Sequence, residues 1–259
     1  MNILLTNDDG ILAPGLNALY QIFSKDHQVT VVAPDREKSA VGHGITLNHP
    51  IRVSQVKLPD GKTGYAVAGT PVDCVKLAFL ELLAVKPDIV ISGINRGANL
   101  GVNLNYSGTV AAAREASLYQ IPSIAASVQG QKGGDFPGAA RYIYHLSQET
   151  LKKGLQQHTF LNVNFPALPF SEITGVRICR LGLSFPDEYL DRRKDPRDRT
   201  YYWHGCEFRT KDTDPSIDGA AVDRNYISIT PVKCDMTDYD AMPSIEAWET
   251  VNLPATLDN

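Results

Sequence analysis

Two adjacent carboxylates, Asp8 and Asp9, stand directly after the first apolar run of the sequence and just before Gly10. Neighbouring side chains of a regular strand point to opposite faces, so both carboxylates can face one point only beyond the end of the strand. That position is the edge of an open α/β sheet, where ligands bind. Because the two negative charges repel each other, a hard divalent cation would satisfy them best. A solvated turn or a helix cap is the alternative, and these residues alone leave both interpretations open.

Further oxygen donors follow two later strands. The strand QVTVVAP continues into the loop DREKSAVGHG, and the strand PDIVISG continues into INRGANLGVNLNYSG, which contains four asparagines. Among these, Asn95 is nearest to its strand and is the predicted ligand, whereas turn chemistry is the favoured interpretation of Asn99, Asn103 and Asn105. Neutral amide and hydroxyl oxygens suit Mg²⁺ or Mn²⁺, which keep water molecules or take phosphate oxygens as further ligands.

The segment YSGTVAAARE at the end of the second loop predicts the start of a helix. Either Ser107 or Thr109 begins that helix, with Gly108 between them. The free N–H groups of a helix start bind anions such as phosphate, although an ordinary Ser/Thr cap is the commoner meaning of such a motif. Carboxylates, a glycine-bearing loop and a helix start at one sheet edge together predict a site for a metal ion and a phosphate group.

Alternating strands and helices position these residues. A strand over residues 2–7, a helix in PGLNALYQIFSK and the strand QVTVVAP form a βαβ unit with two parallel strands. Later helices are predicted in GTVAAAREASLY, over Phe136–Lys153, and after Thr70, where Pro71 and Asp73 complete a helix-start signal. The predicted fold class is therefore α/β, with a Rossmann-like, doubly wound and mostly parallel sheet.

The pattern changes at about residue 166. The segments VRICRLG, TYYWHG and YISITPV predict additional strands, and residues 237–259 predict a short helix followed by an extended C-terminal arm. We expect a Rossmann-like core with the active site over residues 1–166 and a C-terminal β extension with the arm over residues 167–259, within one continuous domain. The dipeptide DG in LPDGK predicts a hairpin turn. The basic run DRRKDPRDR predicts a solvated hairpin loop, with attraction of anionic substrates such as polyphosphate as the alternative.

Composition excludes several classes of protein. The chain has 259 residues, of which 43% are hydrophobic and 21% are charged, values typical of a globular α/β domain. The net charge of −4 and the lack of regularly spaced aromatic residues argue against a nucleic-acid partner. The four cysteines are too far apart for a zinc motif or a dense disulfide framework. No apolar stretch approaches the roughly 20 residues that span a bilayer, and the first strand leaves no room for a signal peptide. We therefore expect a cytoplasmic protein with no membrane partner.

Several common motifs of nucleotide-binding proteins and hydrolases are missing. There is no GxGxxG fingerprint, the GKT of residues 61–63 lacks the leading glycine of a P-loop, and no GxSxG elbow occurs. The predicted chemistry therefore depends on the carboxylate pair and the helix start.

Five segments, taken in order, resemble the survival protein SurE family of nucleotidases. They are ILLTNDDG, APDREKSAVGHGITL, GTPVDCV, SGINRGANLG and YSGTVAAARE, and IDGAAVDRNYISITPV is similar to a later strand segment of the family. The resemblance implies a divalent-metal-dependent phosphatase that hydrolyses nucleoside 5′- and 3′-monophosphates, with short polyphosphate as a further substrate. It also implies a homodimer or homotetramer held together through the C-terminal arm.

The resemblance also implies the site residues. The family's metal ligands match Asp8, Asp9, Ser39 and Asn95, which would hold one Mg²⁺ or Mn²⁺ ion. Of these, Ser39 is indicated by the resemblance alone. The family's phosphate-side segment matches Ser107, Gly108 and Thr109.

The expected mechanism is metal-assisted hydrolysis in which Asp8, Asp9 and Asn95 are the catalytic residues. A covalent mechanism with Asp8 as the nucleophile is the rival, because ligand and nucleophile roles can overlap. The donor of a proton to the leaving alcohol is open, with His43 and Asp218 as weak candidates. A nucleotide-sensing protein that has lost turnover is the alternative outside the enzymes.

Overall fold

The computed structural model describes residues 1–130, 134–184, 187–207 and 212–248. Its helices are α1 (Pro14–Phe23), α2 (Pro71–Leu77), α3 (Gly108–Leu118), α4 (Phe136–Lys153), α5 (Asp218–Val222) and α6 (Met242–Glu246). Its strands are β1 (Asn2–Thr6), β2 (Gln28–Pro34), β3 (Val53–Lys57), β4 (Thr63–Val67), β5 (Ile89–Arg96), β6 (Ser123–Val128), β7 (Thr159–Phe165), β8 (Gly175–Ile178), β9 (Asp187–Lys194), β10 (Thr200–Glu207) and β11 (Tyr226–Lys233).

Nine of the described strands form one mixed sheet in the order β3-β4-β2-β1-β5-β6-β7-β11-β8. The six strands from β4 to β7 in this order are parallel to one another. Antiparallel pairs occur where β3 meets β4 and where β11 meets β7. The chain leaves β1 towards β2 and later returns on the other side of β1 as β5, so the strand order reverses at β1. A doubly wound sheet binds ligands at this kind of switch point, and the α/β fold predicted from the sequence is confirmed.

The side chains of β1 show how the sheet buries both of its faces. Ile3 and Leu5 join the larger hydrophobic cluster, which includes Leu16 and Phe23 of α1. Leu4 points the other way and joins the cluster formed with α2 and α3. Alternation along a strand produces this division, and a strand covered by helices on both faces is apolar throughout.

The chain after residue 166 continues the main sheet. The strand β11 pairs with β7, and β8 pairs in parallel with β11 at the far edge. The strands β9 and β10 form a separate two-stranded antiparallel sheet. The first four residues of the run DRRKDPRDR belong to β9 and its remainder forms the turn, so the loop predicted there is shorter than the basic run.

Local signals in the sequence agree with the helix and turn positions. Thr70 caps α2 through a capping box with Asp73, and α4 has the predicted bounds. The turn after β3 contains Gly61 at a φ of +84°, which a glycine adopts without strain. The short helix predicted in the arm is α6, whereas residues 249–259 of the arm lie outside the described residues. Within the described segments, no helix has the length and apolar character that a membrane crossing requires.

Candidate active site

A tight turn after β1 presents the carboxylate pair. The buried side chain of Asn7 accepts a hydrogen bond from the Gly10 N–H (3.2 Å) and donates one to the Gly10 carbonyl (2.9 Å). Gly10 has a φ of +104°, and a Cβ there would lie 3.3 Å from the carbonyl carbon of Arg36. Only glycine fits this combination of backbone angle and close approach. The turn takes Asp8 and Asp9 out of the strand, as the sequence predicted, and Asn7 is a structural contributor that the sequence analysis missed.

Three other segments of the chain form hydrogen bonds with Asp8 and Asp9, two with the carboxylates and one with the Asp8 backbone. The hydroxyl of Thr109, in the first turn of α3, donates a hydrogen bond to Oδ1 of Asp8. The N–H of Lys38, in the loop after β2, donates to the Asp8 carbonyl at 2.7 Å. The N–H of Arg96, at the end of β5, donates to Oδ2 of Asp9 at 3.3 Å. The ends of β1, β2 and β5 and the start of α3 therefore meet at one point on the sheet edge.

Burial makes the ionised forms of Asp8 and Asp9 unfavourable when no cation is bound. Burial raises the pKa of Asp8 to about 6. The hydrogen bond from Thr109 lowers this pKa, and the negative charge of Asp9 raises it further. Burial also raises the pKa of Asp9, and the charge of Glu37 raises it further. The hydrogen bond from the Arg96 N–H lowers this pKa but does not outweigh burial. Neither carboxylate forms a salt bridge within the described ranges of the chain. A bound cation would supply the missing positive charge.

The two neutral ligand candidates are Asn95, near the end of β5, and Ser39, in the loop after β2. Asn95 is half-buried and lies within β5, which ends at Arg96, three residues beyond the strand PDIVISG predicted from the sequence. A shift in the pairing of β5 with β6 falls between Ser92 and Asn95, and such irregularities redirect side chains. The Asn95 amide nitrogen donates to the Gly97 carbonyl (2.7 Å), so its amide oxygen is left to accept or ligate. Ser39 follows the anchored Lys38, and its exposed hydroxyl donates to Glu37 (2.6 Å).

The first turn of α3 forms the phosphate side of the candidate site. Ser107 is the N-cap, and its hydroxyl accepts a hydrogen bond from the Val110 N–H at 3.1 Å. This settles the choice between Ser107 and Thr109 left open by the sequence, because Thr109 lies inside the helix and is bonded to Asp8. The N–H of Gly108 has no hydrogen-bond partner among the described residues. A free N–H at a helix N-terminus is suited to an anionic oxygen.

Gly108 allows α3 to approach β1 closely. A Cβ at this position would lie 2.9 Å from Cβ of Asp8 and 3.0 Å from its Oδ2. The same atom would lie 3.0 Å from Cγ of Pro71 in α2. The absence of a side chain at Gly108 is therefore what lets the helix start and the carboxylate occupy one site.

The loop between Asn95 and Ser107 is held by side chains from outside it. The backbone N–H of Asn99 donates to Oδ1 of Asn164 (2.7 Å), and the Asn99 carbonyl accepts from the amides of Asn162 (2.8 Å) and Asn164 (3.1 Å). The Asn99 side chain donates to Ser127 on β6 (2.8 Å). The prediction of turn chemistry for Asn99 was therefore wrong, because its side chain is buried against the sheet instead of closing a turn.

The structure gives the two candidate proton donors other roles. The carboxylate of Asp218 is buried and accepts hydrogen bonds from the N–H groups of Gly101 (2.8 Å), Gly182 (3.1 Å) and Gly219 (2.8 Å). His43 contacts Glu115 on α3 at 2.8 Å, seven residues along the helix from Gly108. That separation is about 10 Å at the rise of an α-helix. Both side chains therefore connect loops to the scaffold.

The donor set fits a hard divalent cation better than zinc. Within the described stretches, no group of three or more His, Cys, Asp and Glu side chains could hold a metal ion, so Asp8 and Asp9 would need neutral oxygens as partners. Two carboxylates completed by amide and hydroxyl oxygens suit Mg²⁺ or Mn²⁺. The residues present therefore fit the ion that the family resemblance implies.

The fold and the site together define a Rossmann-like α/β protein in which paired carboxylates and a helix N-terminus share one sheet edge. The chain belongs to the SurE family, because the family model described as Survival protein SurE matches residues 3–187. It is 52% identical over 249 residues to the 5′-nucleotidase SurE of Desulfatibacillum aliphaticivorans, covering 96% of this chain and 98% of that protein. The 5′-nucleotidase SurE of Heliobacterium modesticaldum is 48% identical, with coverage of 96% and 92%. The crystal structure of the SurE protein from Aquifex aeolicus superimposes with a TM-score of 0.82 at 38% identity, covering 95% of this chain and 98% of that one.

Proposed function

We propose that this protein is a divalent-metal-dependent 5′-nucleotidase, which hydrolyses nucleoside monophosphates to nucleoside and phosphate. The observation that carries the proposal is the contact between the first turn of α3 and Asp8, which puts an anion-binding helix start beside the buried Asp8 of the carboxylate pair. The relatives named 5′-nucleotidase SurE support the substrate class. Hydrolysis of 3′-monophosphates and of short polyphosphate is part of the proposal and rests on the family resemblance.

Asp8, Asp9, Ser39 and Asn95 would hold the Mg²⁺ or Mn²⁺ ion. When bound, such an ion supplies positive charge for the phosphoryl oxygens and lowers the pKa of a water molecule. The free N–H of Gly108 and the positive end of the α3 dipole would bind a phosphate oxygen. This arrangement supplies charge stabilisation and positioning, which are the main requirements of phosphoryl transfer.

Thr109 fixes the orientation of Asp8. Its hydroxyl donates to Oδ1, and both side chains are buried. This bond engages Oδ1 within the protein and holds the carboxylate in one orientation. A carboxylate that is held in this way and committed to a cation is less free to attack phosphorus, so we favour Asp8 as a ligand over Asp8 as a nucleophile.

Phosphate release from a panel of nucleoside 5′- and 3′-monophosphates tests the proposal. The wild type should be inactive in EDTA and active with Mn²⁺ or Mg²⁺, and Asp8→Asn should abolish the activity. Asp198→Asn is the matched control, because that carboxylate is exposed in the β9–β10 turn and pairs with Lys194. Activity that survives both EDTA and Asp8→Asn would mean that the reaction takes place elsewhere. A folded wild type that releases no phosphate with either metal would favour a nucleotide sensor.

We also propose that the arm mediates a homodimer or homotetramer. Within the described part of the arm, the large apolar side chains are exposed, including Tyr239 (65%), Ile245 (43%) and Trp248 (56%). A second copy of the chain would cover them. Light scattering of the full chain should give a mass of two or four subunits, and Ile245→Glu should reduce it. A monomeric wild type would refute this assembly.

A further inference from the structure

The loop that follows β2 carries Ser39 and runs over residues 35–52 without a helix or a strand. Loops of this length are uncommon, and those that are ordered usually have a function. Ser39 is exposed and would offer the metal ion a neutral hydroxyl, which is a weak ligand. A weak ligand helps only if its position is fixed beforehand, because ordering a free chain costs about 1–2 kcal/mol per residue. The contacts that hold this loop therefore bear on the site.

Two backbone contacts hold the loop on either side of Ser39. Before it, the N–H of Lys38 donates to the Asp8 carbonyl at 2.7 Å. After it, the N–H of Gly42 donates to the Tyr106 carbonyl at 2.9 Å, just before the start of α3. Gly42 has a φ of +55°, and a Cβ there would lie 3.0 Å from a backbone oxygen of the same turn. Ser39 therefore lies between one anchor on the carboxylate turn and another on the turn before α3.

His43 adds a side-chain anchor directly after the second of these contacts. Its Nε2 donates to Oε2 of Glu115 on α3 at 2.8 Å. Glu115 is 6% exposed, and its other oxygen accepts from Nζ of Lys76 on α2 at 3.1 Å. A buried carboxylate bonded to two basic side chains is a strong anchor, because hydrogen bonds to charged groups are strong and a buried partner left unpaired is costly. One carboxylate thus ties the loop to α3, the helix whose first turn contacts Asp8.

The next residues of the loop are held by the start of α2. The Gly44 carbonyl accepts a hydrogen bond from the Thr70 hydroxyl at 2.8 Å. Thr46 donates both its N–H (3.1 Å) and its hydroxyl (2.6 Å) to the carboxylate of Asp73. These bonds do not involve His43. Loss of the His43 bond should therefore loosen the ligand-bearing half of the loop and leave the other half in place.

We propose that His43 is a positioning residue for the metal site, because its bond to Glu115 holds the loop in the place from which Ser39 would bind the ion. The inference rests on the proposed metal-dependent function. It adds a residue that acts through the backbone and not by contact with the metal or the substrate. Groups that hold a metal ligand in place typically contribute about 10- to 100-fold to metal affinity or activity. Since the backbone of the loop separates His43 from Ser39, we expect an effect near the lower end of this range, about tenfold.

Calorimetric binding of Mn²⁺ to the metal-free protein tests the inference without requiring turnover. His43→Phe keeps a ring and removes the bond to Glu115, whereas His43→Gln loses the ring and keeps an N–H donor. His43→Phe should raise the Kd of Mn²⁺ about tenfold. His43→Gln should stay within about threefold of the wild-type Kd, because the hydrogen bond is retained. His43→Ala should show the same loss as His43→Phe, and it decides the question if the phenylalanine variant does not fold.

Two controls and one double variant separate the loop contact from general damage. His49→Ala removes an exposed histidine of the same loop, and Lys76→Met removes the other partner of Glu115 without changing the loop. Both should bind Mn²⁺ as the wild type does, although Lys76→Met should unfold at a lower urea concentration. In the Ser39→Ala background, His43→Phe should change the Kd by no more than about twofold, since the ligand that it positions is already gone.

Wild-type Mn²⁺ affinity in the folded His43→Phe or His43→Ala variant would overturn the inference. A loss in His43→Gln as large as that in His43→Phe would overturn it too, because the ring and not the bond would then matter. So would a full, additive loss in the Ser39→Ala background, which would mean that His43 acts on the site by another route. In each of these cases, a wild type that binds Mn²⁺ and releases phosphate keeps the proposed function. A wild type that binds no Mn²⁺ refutes the proposed metal site, and the inference falls with it.

Discussion

Replacing Gly108 with alanine should displace Asp8 and impair the site without unfolding the protein. A Cβ at position 108 would lie 2.9 Å from Cβ of Asp8, whereas nonbonded carbon atoms are at their optimal separation at about 3.5–4.0 Å. The carboxylate or the helix must therefore move by about 0.6 Å or more. Pro71, 3.0 Å from the new atom on another side, limits how far α3 can retreat.

The size of the effect follows from two opposing terms. Alanine is favoured over glycine within a helix by up to about 1 kcal/mol, which opposes the packing cost in the stability of the protein. Overpacking of a well-packed site typically costs about 1–3 kcal/mol. The net loss in the free energy of unfolding should therefore lie between about 0 and 3 kcal/mol. Activity should respond more strongly, because a misplacement of about 1 Å can reduce a rate by about 100-fold. We expect kcat to fall about 10- to 100-fold.

The assay combines Mn²⁺ titration, steady-state phosphate release and urea unfolding. Gly138→Ala is the matched control, since Gly138 also lies in the first turn of a helix and its added Cβ would crowd a carboxylate, that of Asp135. That carboxylate caps α4 and is not part of the proposed site. The control should lose stability and keep its metal affinity. Wild-type kcat and Mn²⁺ affinity in a folded Gly108→Ala variant would refute the argument that the close approach of α3 and Asp8 is needed.

Three further predictions concern stability, each measured by urea unfolding. Burial raises the pKa of Asp8 to about 6, so the folded, metal-free protein binds that proton more tightly than the unfolded chain does. Its free energy of unfolding should fall between about pH 4 and 7, and Asp8→Asn should reduce this fall, leaving the contribution of Asp9; an unchanged pH profile would contradict the assignment. At Glu115, burial raises the pKa, but hydrogen bonds from two basic side chains outweigh it and lower the pKa overall. The stability that Glu115 contributes should be present at neutral pH and lost below about pH 4.5, and Glu115→Gln should flatten that acid loss, whereas an equal loss in the variant would contradict it. Asn164→Ala should cost about 1–3 kcal/mol, because the buried Asn99 N–H loses its acceptor, and a neutral effect would contradict the network.

Local sequence patterns were sufficient for much of the fold. The helix start at Thr70 and the bounds of α4 depend on caps and periodicity within a few residues, and both were predicted. The position of Asp8 and Asp9 beyond a strand also follows from neighbouring residues. Asn95 was placed near a strand end, although β5 continues to Arg96 because its pairing with β6 extends past the irregularity.

Contacts between distant residues could not be read in the same way. Asp218 accepts a hydrogen bond from Gly101, 117 positions earlier in the chain, and Asn164 holds Asn99 across 65 positions. An isolated Asp or Asn in a polar loop has the same local signature whether it caps a turn, donates a proton or supports another loop. The sequence analysis therefore assigned turn chemistry to Asn99 and considered Asp218 as a proton donor.

The sequence by itself determined that parallel strands alternate with helices, that two carboxylates follow the first strand, and that a glycine-bearing helix start lies farther along the chain. These features depend on side-chain periodicity and on short-range backbone preferences, which neighbouring residues express directly. Only the tertiary structure decided that α3 approaches Asp8 through Gly108, that buried amides from β7 hold Asn99 in the loop after β5, and that this loop lines a cavity. The physical reason is that each of these depends on the order of strands in the sheet, which brings together groups whose separation along the chain carries no local signal.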